Sequence, residues 1–260
     1  MSRLIDAEFQ GLVMYRRDYA ERDLLVQILT DQFGPKMFLV RGAKKRGFKL
    51  TSAILPFTEA TYIGRISPEG LSYLTTTKTT KLWRNISEDL LLQAYAAYIL
   101  SLAGAAFPEG DPLGRAFTLI RTALSQIDGG IDPQLLTNMV EIKLLDRFGV
   151  APDLSGCAIC GRNDLPLDYS EAFGGLLCQN HWVRDPHRLH AQPNAIVLVQ
   201  RLARMMPLQL GATDLNPRTK RELQRVLDHI YQDQVGLVPK SKKFLDGLVN
   251  GGNGLLLKRD

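Results

Sequence analysis

All three cysteines of this chain fall in one stretch, CAICGRNDLPLDYSEAFGGLLCQNH, which runs from Cys157 to His181. Cys157 and Cys160 form a C-x-x-C pair, and Cys178 is followed at the same spacing by His181, with seventeen residues between the pairs. A tetrahedral metal ion such as zinc needs four soft or borderline donors brought together by two tight turns, and a two-residue gap lets both side chains of a pair reach one ion. Gly161 after the first pair and Gly174-Gly175 before the second let the backbone fold back on itself. The spacing predicts one structural zinc per chain on Cys157, Cys160, Cys178 and His181. Four protein donors close the coordination shell, leaving no position for water or substrate, so the metal would hold a loop rather than perform a reaction. Three other readings compete: a redox C-x-x-C, a disulfide, and a fourth ligand drawn from His187 or His190.

The second chemically loaded stretch is KMFLVRGAKKRGFKL, residues 36–50. Lys36, Arg41, Lys44, Lys45, Arg46 and Lys49 supply six cations there, with no acid among them. Cations on a glycine-flanked loop suit a phosphate backbone, and Phe48 beside them, or Tyr15 beside Arg16 and Arg17, suits stacking on unpaired bases. The competing reading is a solvated loop that keeps an edge strand soluble. No base-reading helix accompanies these residues, so binding is expected to be largely independent of sequence. Arg218, Lys220, Arg221 and Arg225 form a further basic cluster, but Glu222 and Asp228 interrupt it, as on a solvated helix face.

The elements that must position these groups change character along the chain. Short β-rich runs at 8–16, 24–30, 37–42, 57–64 and 71–78, joined by turns such as Gly34-Pro35 and Ser67-Pro68-Glu69-Gly70, predict five strands within the first eighty residues. The OB-fold barrel is the commonest five-stranded arrangement, with an open sheet as its rival. Beyond Lys81 the pattern is helical. Ser87 is the expected cap of the first helix, followed by a helix over Pro112–Ile127. A third is capped by Asp132 with Pro133 at its first turn and closed by Gly149. Later helices are expected over Pro193–Met206, over Pro217–Val235 with Asn216 as cap, and over Lys242–Val249. The tail GGNGLLLKRD is expected to be loose. The fold class is thus α+β and multidomain: residues 1–80 a nucleic-acid-binding barrel, residues 81–260 a helical domain, with a zinc-ribbon-like module at about 153–190 embedded in it.

Composition sets bounds on function. The 260 residues are 45% hydrophobic and 23% charged, ordinary for a globular protein, and the net charge is +5. Residues 1–80 carry 12 basic against 8 acidic residues, so most of the excess lies in the expected barrel. That asymmetry points to a polyanionic partner there. Leu90–Phe107 is long enough to span a bilayer, but Gln93, Tyr95, Tyr98, Ser101 and Gly104 make a buried helix the better reading, and no membrane partner is expected. Met1–Asp6 lacks the basic flank of a signal peptide, and a cytoplasmic, nucleoid-associated protein is expected. No phosphate-binding loop, dinucleotide fingerprint, nucleophile elbow or H-E-x-x-H motif occurs. A metal-dependent nuclease using barrel acids such as Glu21, Asp23 or Asp31 is therefore the weaker alternative, and no enzyme is expected.

Taken together, YRRDYAERDLLVQILTDQFG (15–34), RGAKKR (41–46), ILPFTEATY (54–62), the C-x-x-C with FGGLLC (173–178) and LVPKSKKFLDGL (237–248) resemble the RecO family of bacterial DNA repair proteins, nearly end to end. The resemblance implies an OB-fold, a helical domain and an embedded zinc module. It implies a recombination mediator that binds single- and double-stranded DNA and anneals complementary strands. With RecR, such proteins help load RecA onto DNA coated by single-strand-binding protein, whose acidic, hydrophobic C-terminal tail they contact. DNA binding carries over to Arg41, Lys44, Lys45 and Arg46, and the metal site to Cys157, Cys160 and Cys178. The fourth position departs from the family's common cysteine, being His181. A protein-interaction adaptor of the repair machinery, without annealing activity of its own, is the alternative.

Overall fold

A computed structural model describes residues 4–251. The segment expected to be a loose tail lies, after Gly251, outside the described residues. Within them the chain forms two compact units, one made of the residues up to Gly129 together with those from Pro239 onward, the other of Gly130–Val238. The change from strand to helix near Lys81 and the division into compact units are thus different boundaries.

The first unit is built on five strands: β1 Ile5–Tyr19, β2 Asp23–Thr30, β3 Gly34–Val40, β4 Thr58–Ile66 and β5 Ser72–Leu82. They close into a barrel in the order β1-β2-β3-β5-β4, antiparallel throughout except for the parallel β3–β5 seam. This is the five-stranded, OB-like barrel that the spacing of strand and turn signals predicts. Its interior is filled by inward residues such as Phe9, Val13, Val26, Ile28, Phe38, Val40, Ile54 and Tyr62. Phe9 stacks on both Phe38 and Tyr62, with centroids 5.4 and 5.6 Å away. Burial pushes the Tyr62 hydroxyl well above the ordinary phenol range, and it stays protonated to donate to the Ala53 carbonyl at 2.5 Å.

The helices of this unit are α1 Arg84–Glu88, α2 Leu90–Ala106, α3 Arg115–Asp128 and α7 Lys240–Gly251. Ser87 does not cap the first of them. It lies inside α1, where its hydroxyl donates to the Trp83 carbonyl, while Asp89 caps α2 by accepting from the amides of Leu91 and Leu92. A carboxylate two residues on competes better than a hydroxyl for exposed helix amides. α2 is the apolar stretch that resembles a span. Its tyrosines and most of its aliphatic residues are buried, and no described helix is long and apolar enough to cross a membrane.

The second unit holds α4 Pro133–Leu144, α5 Pro193–Arg204 and α6 Pro217–Ile230, with a π-turn over Tyr231–Val235. Asp132 and Asn216 cap α4 and α6 as expected, each ahead of a proline at the first position. Between α4 and α5 stand three short strands, β6 Asp153–Cys157, β7 Leu167–Ser170 and β8 Gly175–Cys178, ordered β6-β8-β7. This small sheet carries Cys157 and Cys178, with Cys160 in the turn that follows β6.

Candidate functional site

The basic loop leaves β3 at Arg41 and is tied to the β1–β2 turn. The Gly42 amide donates to Asp23 at 2.7 Å, the Lys44 amide to the Arg22 carbonyl at 3.1 Å, and the Lys44 ammonium pairs with Asp18 at 3.0 Å. Held in this way, the loop forms one wall of a groove of about 590 Å³ whose opposite wall comes from β4 and β5. Arg41, Lys45, Arg46, Lys49 and Arg65 line it, with no acidic residue. All five are exposed, so their charges reach solvent, and the nearest acid by register is Asp6, opposite Arg65 across the β1–β4 pairing. A concave wall of one sign focuses potential and attracts a polyanion.

Arg65 and Tyr73 belong to this groove and are missed by sequence reasoning. They face one another across β4–β5, and the guanidinium carbons of Arg41 and Arg65 each lie 5.5 Å from the Tyr73 ring centroid. A Cβ on Gly64 would sit 2.5 Å from the Tyr73 carbonyl oxygen, so only glycine lets the two strands approach this closely beside the pair. The alternation of FTEATYIGRI marks Arg65 as outward-facing, but two register shifts between β4 and β5 hide its partner from the sequence.

Of the other expected residues, only Phe48 lines the groove. Lys36 is 1% exposed, and its ammonium is turned inward onto Glu109 at 2.5 Å, so it offers no charge to a phosphate. Phe48 is half-buried against the barrel core and is not a free stacking platform. Lys44 pairs with Asp18 at the surface, and Lys44, Arg16 and Arg17 are exposed but do not line the groove. Of the second basic cluster, Lys220 pairs with Asp132 and Arg225 with Glu222, as on a structural helix face.

In the second unit the four sulfur and nitrogen residues converge. One ligand atom from each of Cys157, Cys160, Cys178 and His181 lies within 4.8 Å of every other. The C-x-x-C turn is set by backbone bonds: the Cys157 amide to the Arg162 carbonyl, the Gly161 amide to the Cys157 carbonyl and the Ala158 amide to the Leu176 carbonyl. β8 delivers Cys178, and the 3₁₀ turn Gln179–Arg184 delivers His181. Cys160 and Cys178 sulfurs are 3.8 Å apart, and His181 Nδ1 lies 3.5 and 3.3 Å from the sulfurs of Cys157 and Cys178. Around an ion with bonds of about 2.3 Å to sulfur and 2.0 Å to nitrogen, tetrahedral edges are roughly 3.8 and 3.6 Å. The donor set fits that shell. His187 and His190 lie outside it.

The electrostatics favour a thiolate in the first pair. Burial opposes ionisation of Cys157, but amides of Cys178, Cys160 and Ile159 directed at its sulfur bring the thiol down to about 6. Burial, reinforced by the neighbouring thiols, pushes Cys178 up. Behind the ligands, the Trp182 indole donates to the Leu177 carbonyl at 2.9 Å, and the Arg188 guanidinium lies 4.8 Å from the Trp182 ring and 3.0 Å from Asp168. Asp168 in turn accepts from the amides of Tyr169 and Ala191. This network holds the turn that carries His181, as outer groups orient metal ligands.

Comparison with known proteins identifies the family. Family models described as Recombination protein O N terminal and Recombination protein O C terminal match residues 1–83 and 87–243. The chain is 49% identical over 239 residues to the DNA repair protein RecO of Levilactobacillus brevis, covering 92% of each chain. It is 48% identical to that of Lactiplantibacillus plantarum, again over 92% of each. It is 47% identical to that of Limosilactobacillus fermentum, over 98% of this chain and 94% of the relative. The chain belongs to the RecO family of DNA repair and recombination proteins.

Proposed function

We propose that this protein is a non-enzymatic recombination mediator. It binds single- and double-stranded DNA with little sequence preference and anneals complementary strands. With RecR, it helps load RecA onto DNA coated by single-strand-binding protein, whose C-terminal tail it contacts. It acts in the cytoplasm, on the nucleoid. The observation that carries this reading is the groove of five exposed cations without an acid on a five-stranded barrel. Such a surface neutralises phosphates of either strand, lowers the repulsion between two strands and lets base pairing supply the driving force. No nucleotide is required for that step.

Cys157, Cys160, Cys178 and His181 hold one zinc ion in a closed structural shell. The ion supplies a fixed crossing point for the β6–β8 turns, and the thiolates and the imidazole are the groups that must lose protons to receive it. Residues 1–80 act as the DNA-binding domain, with the zinc module, about 153–190, inside the helical part of residues 81–260.

The test is annealing of two complementary fluorescent oligonucleotides pre-coated with single-strand-binding protein, without nucleotide, at two salt concentrations. Accelerated duplex formation that fades at high salt is expected. No acceleration, with binding to the coating protein intact, would replace this reading with that of an adaptor.

A further inference from the structure

Barrels that bind single strands commonly pair a cationic groove with aromatic rings on which successive bases stack. This groove has the cations and lacks free rings. Tyr73 is partly buried and its ring already carries two guanidiniums, at 5.5 Å each. Phe48 lines the groove but is half-buried, with its ring packed on the core, and Tyr62 is fully buried inside that core. The exposed aromatics of the barrel, Tyr15 and Tyr19, stand on β1 and do not line the groove. What remains on its walls is suited to phosphate oxygens: ammonium groups of Lys45 and Lys49, guanidiniums, and the exposed hydroxyls of Thr75 and Thr76.

We infer that the groove grips a strand by its sugar–phosphate backbone and makes no stacking contact with the bases, and that Tyr73 serves the cations rather than the DNA. This rests on the proposed DNA-binding role of the same groove and specifies what it recognises. Tyr73 is a positioning residue: the electron-rich face of its ring attracts Arg41 and Arg65 and holds two flexible side chains at a fixed separation along the groove. The consequence bears on annealing. A strand held by stacked bases must be unstacked before it can pair, whereas a strand held by phosphates presents its Watson–Crick edges to a complement while still bound.

The experiment compares the full-length protein's affinity for a thymidine oligonucleotide with that for an abasic oligonucleotide of the same length and charge, at low salt and over a salt titration. Stacking one base on an aromatic ring is worth roughly five- to 150-fold in affinity, so even one stacked base would be visible. The two oligonucleotides are expected to bind within about threefold of each other with the same salt slope. Arg65→Ala and Tyr73→Leu should each weaken both equally, and Tyr73→Phe should restore both, since the ring and not the hydroxyl faces the guanidiniums. Thymidine binding about fivefold or more tighter than abasic, or Tyr73→Leu weakening thymidine alone, would overturn this inference and leave the DNA-binding role standing. Failure of both oligonucleotides to bind would overturn the inference and the DNA-binding role together.

Discussion

The basic groove and the cysteine cluster are each assembled from side chains that a short stretch of sequence sets close together, yet they keep their geometry for opposite reasons. In the groove, like charges are held apart by a scaffold that does not need them: the barrel's core and its β-ladder would stand without Arg46 or Lys49. In the cluster, four donors from two turns and a small three-stranded sheet converge on one point, supported by backbone and side-chain bonds within the same module. A site of the first kind can lose its ligand chemistry and keep its fold. A site of the second kind cannot lose a donor without loosening the structure around it. Function and stability should therefore separate cleanly between the two regions, and mutation can test whether they do.

The largest effect is expected on the cluster. Cys157→Ser should release about one metal ion per chain and lower stability by about 4 kcal/mol or more, read by elemental analysis and thermal unfolding. Affinity for a short oligonucleotide should stay within about twofold, because none of the groove's cations belongs to this module. A loss of affinity as large as the loss of metal would break the separation and bring the module into the DNA interface.

Next comes charge reversal of the groove. Lys45→Glu with Arg46→Glu and Arg65→Glu should weaken DNA binding by about a hundredfold or more at low salt and make the salt dependence shallower by about two to three charges. Since all three residues are exposed, the melting transition should stay within about 0.5 kcal/mol of the parent. Unaltered affinity and slope would mean that the DNA path lies elsewhere, with Arg16 and Arg17 on β1 the next cations to reverse.

These two regions were not equally legible in the sequence. The convergence of the three cysteines and His181 could be read because both pairs are closed by local turns; only the approach of one pair to the other is long-range, and the spacing implies it. The groove could be read on one wall only. Arg41 to Lys49 is contiguous, but Arg65 and Tyr73 meet the loop through strand pairing with two bulges, and no local pattern gives that register. The place of Lys36 is hidden for a related reason. The expected strand begins after it, at residue 37, and groups it with the cations that follow, whereas β3 starts at Gly34 and is buried along nearly its whole length, and the carboxylate that satisfies Lys36 comes from 73 residues away. The five strands and the helices capped by Asp132 and Asn216 were legible because their signals are local: turns, caps and the prolines that follow them.

Lys36 sharpens the comparison, because it is a cation of the barrel that behaves like a member of the cluster. Glu109→Ala would leave its ammonium 1% exposed and without a carboxylate, at a cost of about 2–3 kcal/mol. Lys36→Met removes the charge together with the need for a partner and should change stability by no more than about 1 kcal/mol. Neither should alter DNA affinity. If Lys36→Met weakened DNA binding while Glu109→Ala did not, the ammonium would be reaching the ligand after all.

The smallest effect separates the regions by pH. The groove is lined by cations, with no carboxyl group among its lining residues. The module, by contrast, contains Asp185, 8% exposed, whose carboxyl is held below the ordinary range by the Ser170 hydroxyl at 2.5 Å, against the opposing effect of burial and with help from the His187 amide. A carboxyl whose pKa is depressed on folding adds stability that is fully present above its unfolded value, near 3.8, and is lost as pH falls through the lower folded value. Ser170→Ala removes the strongest of the groups that favour the carboxylate, so the folded pKa rises toward the unfolded one and this contribution shrinks at every pH above it. The variant should be slightly less stable at neutral pH, and its stability should depend less steeply on pH below 4 than the parent's. The hydroxyl also accepts from the Phe173 amide at 3.3 Å, a bond whose loss lowers stability equally at all pH values. The change in slope, followed by denaturant unfolding between pH 2 and 5, is therefore the part that belongs to Asp185. A uniform drop with the parent's slope would assign the whole effect to the amide and remove Asp185 from the acid response of the module.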